Sequence, residues 1–388
     1  MNKIKKSKYI KIFTVALVMI AVSIFCLSIL EEYKNRKYAY DPSKTQNESS
    51  ENSIKEKMSS MTLEEKIGQM IIAGFNGTTV NNEVATLMND LNVGGVILFG
   101  RNIESSEQLK TLTTDITNLN KDIPPFISLD EEGGRVSRVP KDTKKFPKAK
   151  TVGDTNDEKY AYENGKDIGY TLKQLGINMD HAPVLDIYSN PKNTVIGDRA
   201  FGTNEDVVSK MGIATMKGLE DAGIIPTLKH FPGHGDTAVD SHVGLPIVTK
   251  DLNELNEFEF IPFKKAIEKG CDVVMVSHII LNKIDSQNPS TLSKKVVTDI
   301  LKKDLGFSGV VITDDMNMGA IVQNFSIEEA SIKSIKAGVD ILLIGNNVET
   351  TKSVINEIKS AVENKVIDES RIDESVYKIL ELKEKYSL

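Results

Sequence analysis

From Met61 onward, short runs rich in Val and Ile alternate with longer stretches whose apolar residues recur at helical spacing. Strands buried on both faces and joined by helices give this pattern, because each strand must be apolar throughout while each helix needs only one apolar stripe. Eight such runs stand at Met70 to Phe75, Gly95 to Phe99, Pro125 to Asp130, Asn178 to Val184, Ile225 to His230, Asp272 to Ser277, Gly309 to Asp314 and Val339 to Gly345. Eight β units predict an α/β fold, a closed (β/α)8 TIM-type barrel rather than an open doubly wound sheet. The segment VVSKMGIATMKGLEDAG, stopped by Gly223, reads as one intervening helix. A second is SIEEASIKSIKAG, with a Ser326 cap and a Gly338 stop, and Asp368 to Tyr386 predicts a final amphipathic helix.

The pattern differs before residue 59. Lys3, Lys5, Lys6, Lys8 and Lys11 form a basic flank over residues 1–11, followed by an uncharged apolar stretch over residues 12–30. Its 19 residues are enough to cross a hydrocarbon core of about 30 Å, and the basic flank places the remainder of the chain outside the cell. No small-residue cleavage site follows, and Ser23, Ile24 and Phe25 before Cys26 do not suit lipidation, so an uncleaved transmembrane anchor in the cell membrane is expected ahead of a secreted form or a lipoprotein. Residues 31–58 are polar and read as a solvated tether; residues 59–388 are expected to form a single catalytic domain.

Composition narrows the partners. The 388 residues are 40% hydrophobic and 27% charged, enough for a large core without disulfides or metals. The two cysteines, Cys26 and Cys271, lie in unrelated segments and predict no disulfide. A net charge of -7, with charges interspersed beyond the basic flank, argues against nucleic acid as a partner. The chain is expected to be monomeric.

Functional polar groups of a parallel barrel belong at the C-terminal ends of its strands, where the interior opens to solvent. Asp130, Asp186, Lys229 with His230, His278, Asp314 with Asp315, and Asn346 all stand at or just after such ends. Any one of them could cap a helix, but their convergence on one mouth is explained at once by an active site. The densest stretch is KHFPGHGDTAVDSHVGLP, Lys229 to Pro246, which carries three of the five histidines on a segment broken by Pro232, Gly233 and Gly235. A loop of that kind can carry a proton donor, and Asp240 could orient His242 for the purpose. The same residues, His230, His234, His242 and Asp240, also offer a rival metal site. Of Asp314 and Asp315 only one should face the mouth, because successive strand side chains point to opposite sides.

These motifs together, SLDEEGGRVSR, NMDHAPVLDI, VIGDRAFG, KHFPGHGDTAVDSH and GVVITDDMNMGAI, resemble those of family 3 glycoside hydrolases, in the β-N-acetylglucosaminidase branch of peptidoglycan turnover. The resemblance spans about Met61 to Leu388 and is most specific in KHFPGHG with its following DSH. It implies Asp314 as the nucleophile, His242 as the general acid/base with Asp240 its partner, and Asp130, Arg138, Arg199, Lys229 and His230 as sugar-binding residues. The implied reaction is retaining exo-hydrolysis of β-linked N-acetylglucosamine through a glycosyl-aspartate, without metal or organic cofactor. A carbohydrate, either a muropeptide or a chitin-derived oligosaccharide, is the expected partner. The chain stops after the barrel, so the expectation is that the barrel and its loops supply every catalytic group. Rivals are a β-glucosidase or an N-acetylglucosaminide phosphorylase on the same scaffold, a metal-dependent hydrolase and an inactive wall-binding protein.

Overall fold

The computed structural model describes residue 13 and residues 42–120, 122–237, 244–345 and 347–388, with no side-chain description for 42–50. The chain divides into two compact units, residues 1–53 and 54–388. In the first, the described residues 42–53 are helical. Among the described residues no helix is long and apolar enough to cross a membrane; apart from Phe13, the predicted anchor over 12–30 lies outside them.

The second unit is a barrel of eight parallel strands: β1 (Ile71–Gly74), β2 (Gly95–Ile97), β3 (Phe126–Leu129), β4 (Met179–Asp180), β5 (Ile225–Phe231), β6 (Val273–Val276), β7 (Val310–Thr313) and β8 (Leu342–Ile344). Each lies within or at the end of one of the eight apolar runs. Hydrogen-bonded neighbours follow chain order from β1 to β7, and β8 pairs with β1. The remaining seam is almost closed by a bridge between Ile312 and Ile341, and the Leu343 N–H donates to the Thr313 hydroxyl at 2.9 Å. Every residue of the eight strands is buried, which is why the runs lack the polar alternation of a half-exposed sheet.

Local signals set the helix ends. Ser326 accepts from the Glu329 N–H and starts the helix Ile327–Ala337, and Gly338, with φ 110°, ends it in the left-handed region. Asn204 caps Glu205–Asp221 in the same way, and the last helix runs Glu369–Lys385.

The stretch read as a tether from 31 to 58 is helical where it is described, in Pro42–Ser60, and Ile54 is buried against the barrel core. The compact unit therefore starts at Ile54, ahead of the boundary expected at residue 59. Two apolar side chains one turn apart, Ile54 and Met58, on an otherwise polar helix are too weak a periodic signal to predict docking.

The last helix also seals the base of the barrel. Lys383 reaches under the strands and donates to the Gln69 side chain and the Gly94 carbonyl at 2.9 Å each, with its ammonium 4.7 Å from the Phe126 ring centre. Nearby, at the start of β8, buried Asp340 accepts from Arg371, Ser375, Lys302 and the Val311 N–H.

Candidate active site

The C-terminal strand ends surround a cavity of about 430 Å³, within the range of about 300 to 1,000 Å³ usual for small-molecule sites. Asp130, Arg138, Arg199, Lys229, His230 and Asp314 all line it. Six of the eight predicted site residues are thus gathered at one mouth. The other two, Asp240 and His242, lie outside the described residues, as does Asn346.

Three consecutive acids after β3 take three different directions. Asp130 accepts from the Lys229 ammonium at 2.6 Å. Burial opposes its charge, but Lys229 and the other cations nearby hold its carboxyl below the usual range. Glu131 turns away from the cavity, and its Oε2 accepts from the Ser137 hydroxyl and from the Arg138 and Val139 N–H groups. It therefore holds the loop that carries Arg138. Glu132 forms a two-point pair with Arg199, 2.7 Å on each arm, and lies 2.8 Å from Lys229. Against the cost of burial, those cations keep Glu132 ionised, at about 2. Gly133 makes the turn possible: its φ is +76°, and a Cβ there would stand 2.2 Å from the Pro147 carbonyl.

Lys229 and His230 are neighbours on β5, yet both line the cavity. Pairing with β6 slips between Leu228 and Phe231, and such an irregularity breaks strict in–out alternation. His230 Nδ1 lies 2.6 Å from Asp186 Oδ2, while Asp186 Oδ1 accepts the His234 N–H at 2.6 Å. The loop root beyond is tied down by Asn193, whose side-chain amide donates to the His234 carbonyl at 2.7 Å and to the Thr237 hydroxyl at 3.3 Å. Gly235 admits the chain so closely that a Cβ would fall 1.7 Å from the Ile187 carbonyl. His234 lines the cavity, and burial, with His230 adding to it, lowers its basicity.

At the end of β7 both aspartates line the cavity, against the expectation that only one would face the mouth, and they differ in their bonds. Asp315 Oδ1 accepts from the Asn317 N–H, the Asn317 side-chain amide and the Gly345 N–H, each at 2.9 to 3.0 Å. Asp314 accepts from the Asp315 N–H at 2.9 Å and otherwise presents its carboxylate to the cavity. Burial disfavours its charge, but His230, His278 and that N–H outweigh burial and hold the group ionised. His278, at the end of β6, is wholly buried; its Nδ1 meets the Thr291 hydroxyl at 2.8 Å and its Nε2 the Asp315 carbonyl at 3.0 Å. It braces the strand end that carries the aspartates.

The site contains residues that spacing did not single out. Glu131 and Glu132 sit inside the EEGGR motif, and in the sequence Asp186 is only one more strand-end acid. The pairings of Glu132 with Arg199 and of Asp186 with His230 join segments that are remote in sequence, while Glu131 folds its own loop back through the Arg138 N–H. Buried His181, too, feels the charges of Asp130, Lys229 and Asp314, and burial lowers its basicity to about 4. Among the described residues no group of three or more His, Cys, Asp or Glu could hold a metal ion.

Residues 62–382 match the family described as the Glycosyl hydrolase family 3 N terminal domain. A curated relative, beta-hexosaminidase A of Pseudoalteromonas piscicida, is 34% identical over 334 residues, covering 79% of this chain and 56% of its own length. The beta-hexosaminidase of Nitrosomonas eutropha is 33% identical, with 79% of this chain and 90% of the relative covered. Among solved structures, a family 3 beta-N-acetylglucosaminidase from Paenibacillus sp. str. FPU-7 superposes with a TM-score of 0.83 at 38% identity, covering 84% of this chain and 63% of that one. The chain thus spans little more than half of one of these relatives and nearly all of another.

Proposed function

Since the chain belongs to glycosyl hydrolase family 3, we propose that it hydrolyses terminal β-linked N-acetylglucosamine residues with retention of configuration. The observation that carries this reading is the division of labour at the end of β7: both aspartates line the cavity, but Asp315 Oδ1 holds three donors while ionised Asp314 accepts from a single backbone N–H. A carboxylate at a rigid strand end, held by few bonds, can be aimed at one carbon atom and still change its bonding as it attacks. The names of the relatives, beta-hexosaminidase and beta-N-acetylglucosaminidase, support the acetylated sugar as substrate.

In this mechanism Asp314 attacks the anomeric carbon while His242 protonates the departing oxygen, and His242 then takes a proton from the water that releases the sugar. Asp240 orients His242. The support for this pair is the DSH motif of the sequence, since both residues lie outside the described part. Asp130 accepts from sugar hydroxyls, and Lys229, Arg199 and Arg138 donate to them; ion pairs with one another and with Glu132 keep Asp130, Lys229 and Arg199 oriented before substrate arrives, and Glu131 holds the Arg138 backbone. A fragment of peptidoglycan is the substrate we favour, with the segment 12–30 holding the enzyme at the outer face of the membrane.

The test is release of chromophore from an aryl β-N-acetylglucosaminide by the full-length chain, beside the corresponding β-glucoside, with Asp314→Ala and His242→Ala as variants. The reading requires preference for the acetylated sugar and collapse in both variants. A better glucoside rate or an unaffected His242→Ala would overturn it. The same assay with chelator must lose nothing, and in phosphate buffer must yield free sugar rather than sugar 1-phosphate. Partition of the chain into the membrane fraction, resisting alkaline washing, is expected of the anchor; recovery in the soluble fraction would reject it.

A further inference from the structure

Asp186 follows β4 and is wholly buried, touching the cavity only through its neighbours. Its two oxygens serve two places on the next strand and loop. Oδ2 lies 2.6 Å from His230 Nδ1, and Oδ1 accepts the His230 N–H at 3.3 Å and the His234 N–H at 2.6 Å. One side chain therefore ties the end of β5 to the first turn of the glycine-rich loop.

A carboxylate has only lone pairs to offer, so the proton between Asp186 and His230 must reside on Nδ1. That leaves Nε2 on the other side of the ring, where the Arg199 guanidinium stands 3.4 Å away and the cavity opens. Guanidinium nitrogens only donate, so the contact suits an Nε2 that presents its lone pair.

We infer that Asp186 is a positioning residue that fixes the ring tautomer of His230, turning Nε2 into a hydrogen-bond acceptor for Arg199 and for a hydroxyl of the bound sugar. The inference rests on the proposed use of this cavity as the sugar site. Asp186 touches no substrate itself. It acts through His230, as a carboxylate acts on the ring of a metal-bound histidine.

The substitution Asp186→Asn separates tautomer control from simple bracing. Asparagine keeps an oxygen for the His234 N–H but sets an NH2 against His230 Nδ1, which then has to accept and shifts its proton to Nε2. Two readouts follow on the full-length chain. In nitrogen NMR of histidine-labelled protein, with His230→Gln used to assign the signal, the wild type should carry the His230 proton on Nδ1 and Asp186→Asn should move it to Nε2. In steady-state kinetics with the aryl β-N-acetylglucosaminide, Asp186→Asn should lower kcat/KM about 10- to 100-fold. Its cost should largely vanish in a His230→Gln background, because residues that act as one unit are not additive. An Nε2–H tautomer in the wild type overturns the inference whether or not the variant folds, as does an equal kinetic cost in both backgrounds. An enzyme inactive on the acetylated sugar would reject the proposed function instead, and the ring-proton measurement would still decide the role of Asp186.

Discussion

At the base of the barrel, Asp340 uses both carboxylate oxygens on Arg371, Ser375, Lys302 and the Val311 N–H, and none of its surface reaches solvent. At the mouth, Asp314 accepts from one backbone N–H and is half-buried beside a cavity. Both follow or precede a barrel strand, and both carboxyls are held below their usual range against the cost of burial. The difference is in what remains unused. A carboxylate whose lone pairs are all taken is a clamp, and one held by its neighbours' charge more than by direct bonds retains capacity for chemistry.

The sharpest way to test that contrast is Asp314→Asn. It should lower kcat/KM by at least about 10⁴-fold while leaving thermal stability at or above that of the wild type, since a poorly bonded buried charge has been removed. A variant that melts early and keeps its turnover would place Asp314 with the clamps.

The converse substitution is Asp340→Ala. Leaving Arg371 and Lys302 without their partner at the base should cost about 3 to 5 kcal/mol of stability, read by chemical denaturation, with the activity of the folded fraction unchanged. Loss of turnover without loss of stability would show that the base communicates with the site.

The smallest effect concerns pH and the plug. Burial lowers Lys383 to about 7 from an unfolded value of 10.5. Between those values the unfolded chain binds more protons than the folded one, so stability attributable to this residue rises from about pH 7 toward 10.5 and is least below pH 7. Subtracting the denaturation profile of Lys383→Met from that of the wild type should expose the slope. A flat difference across the window would mean that the Gln69 and Gly94 acceptors and the Phe126 ring hold the ammonium charged.

Much of the scaffold was readable because its signals are local. The eight Val- and Ile-rich runs coincide with the eight strands, and Ser326 and Gly338 start and stop their helix by hydrogen-bonding capacity and backbone freedom that need no tertiary context. The placement of the polar groups at one mouth also followed from the chain alone, since a parallel strand can afford polarity only where it leaves the barrel. The side chain of Ile54 and the reach of Lys383 were not readable, because each depends on a surface built from distant segments.

What the sequence by itself determined, then, is the periodicity of the barrel, the ends of its helices and the set of chemically capable residues at its mouth. Only the tertiary structure decided which member of each adjacent pair or trio does what. The slipped pairing of β5 sends both Lys229 and His230 to the cavity, three donors from the segments after β7 and β8 occupy Asp315 Oδ1 and leave Asp314 with one, and Glu131 and Glu132 part company to hold Arg138 and Arg199. Neighbours in sequence share their local propensities, so their roles are assigned by the hydrogen-bond partners that folding brings to each of them.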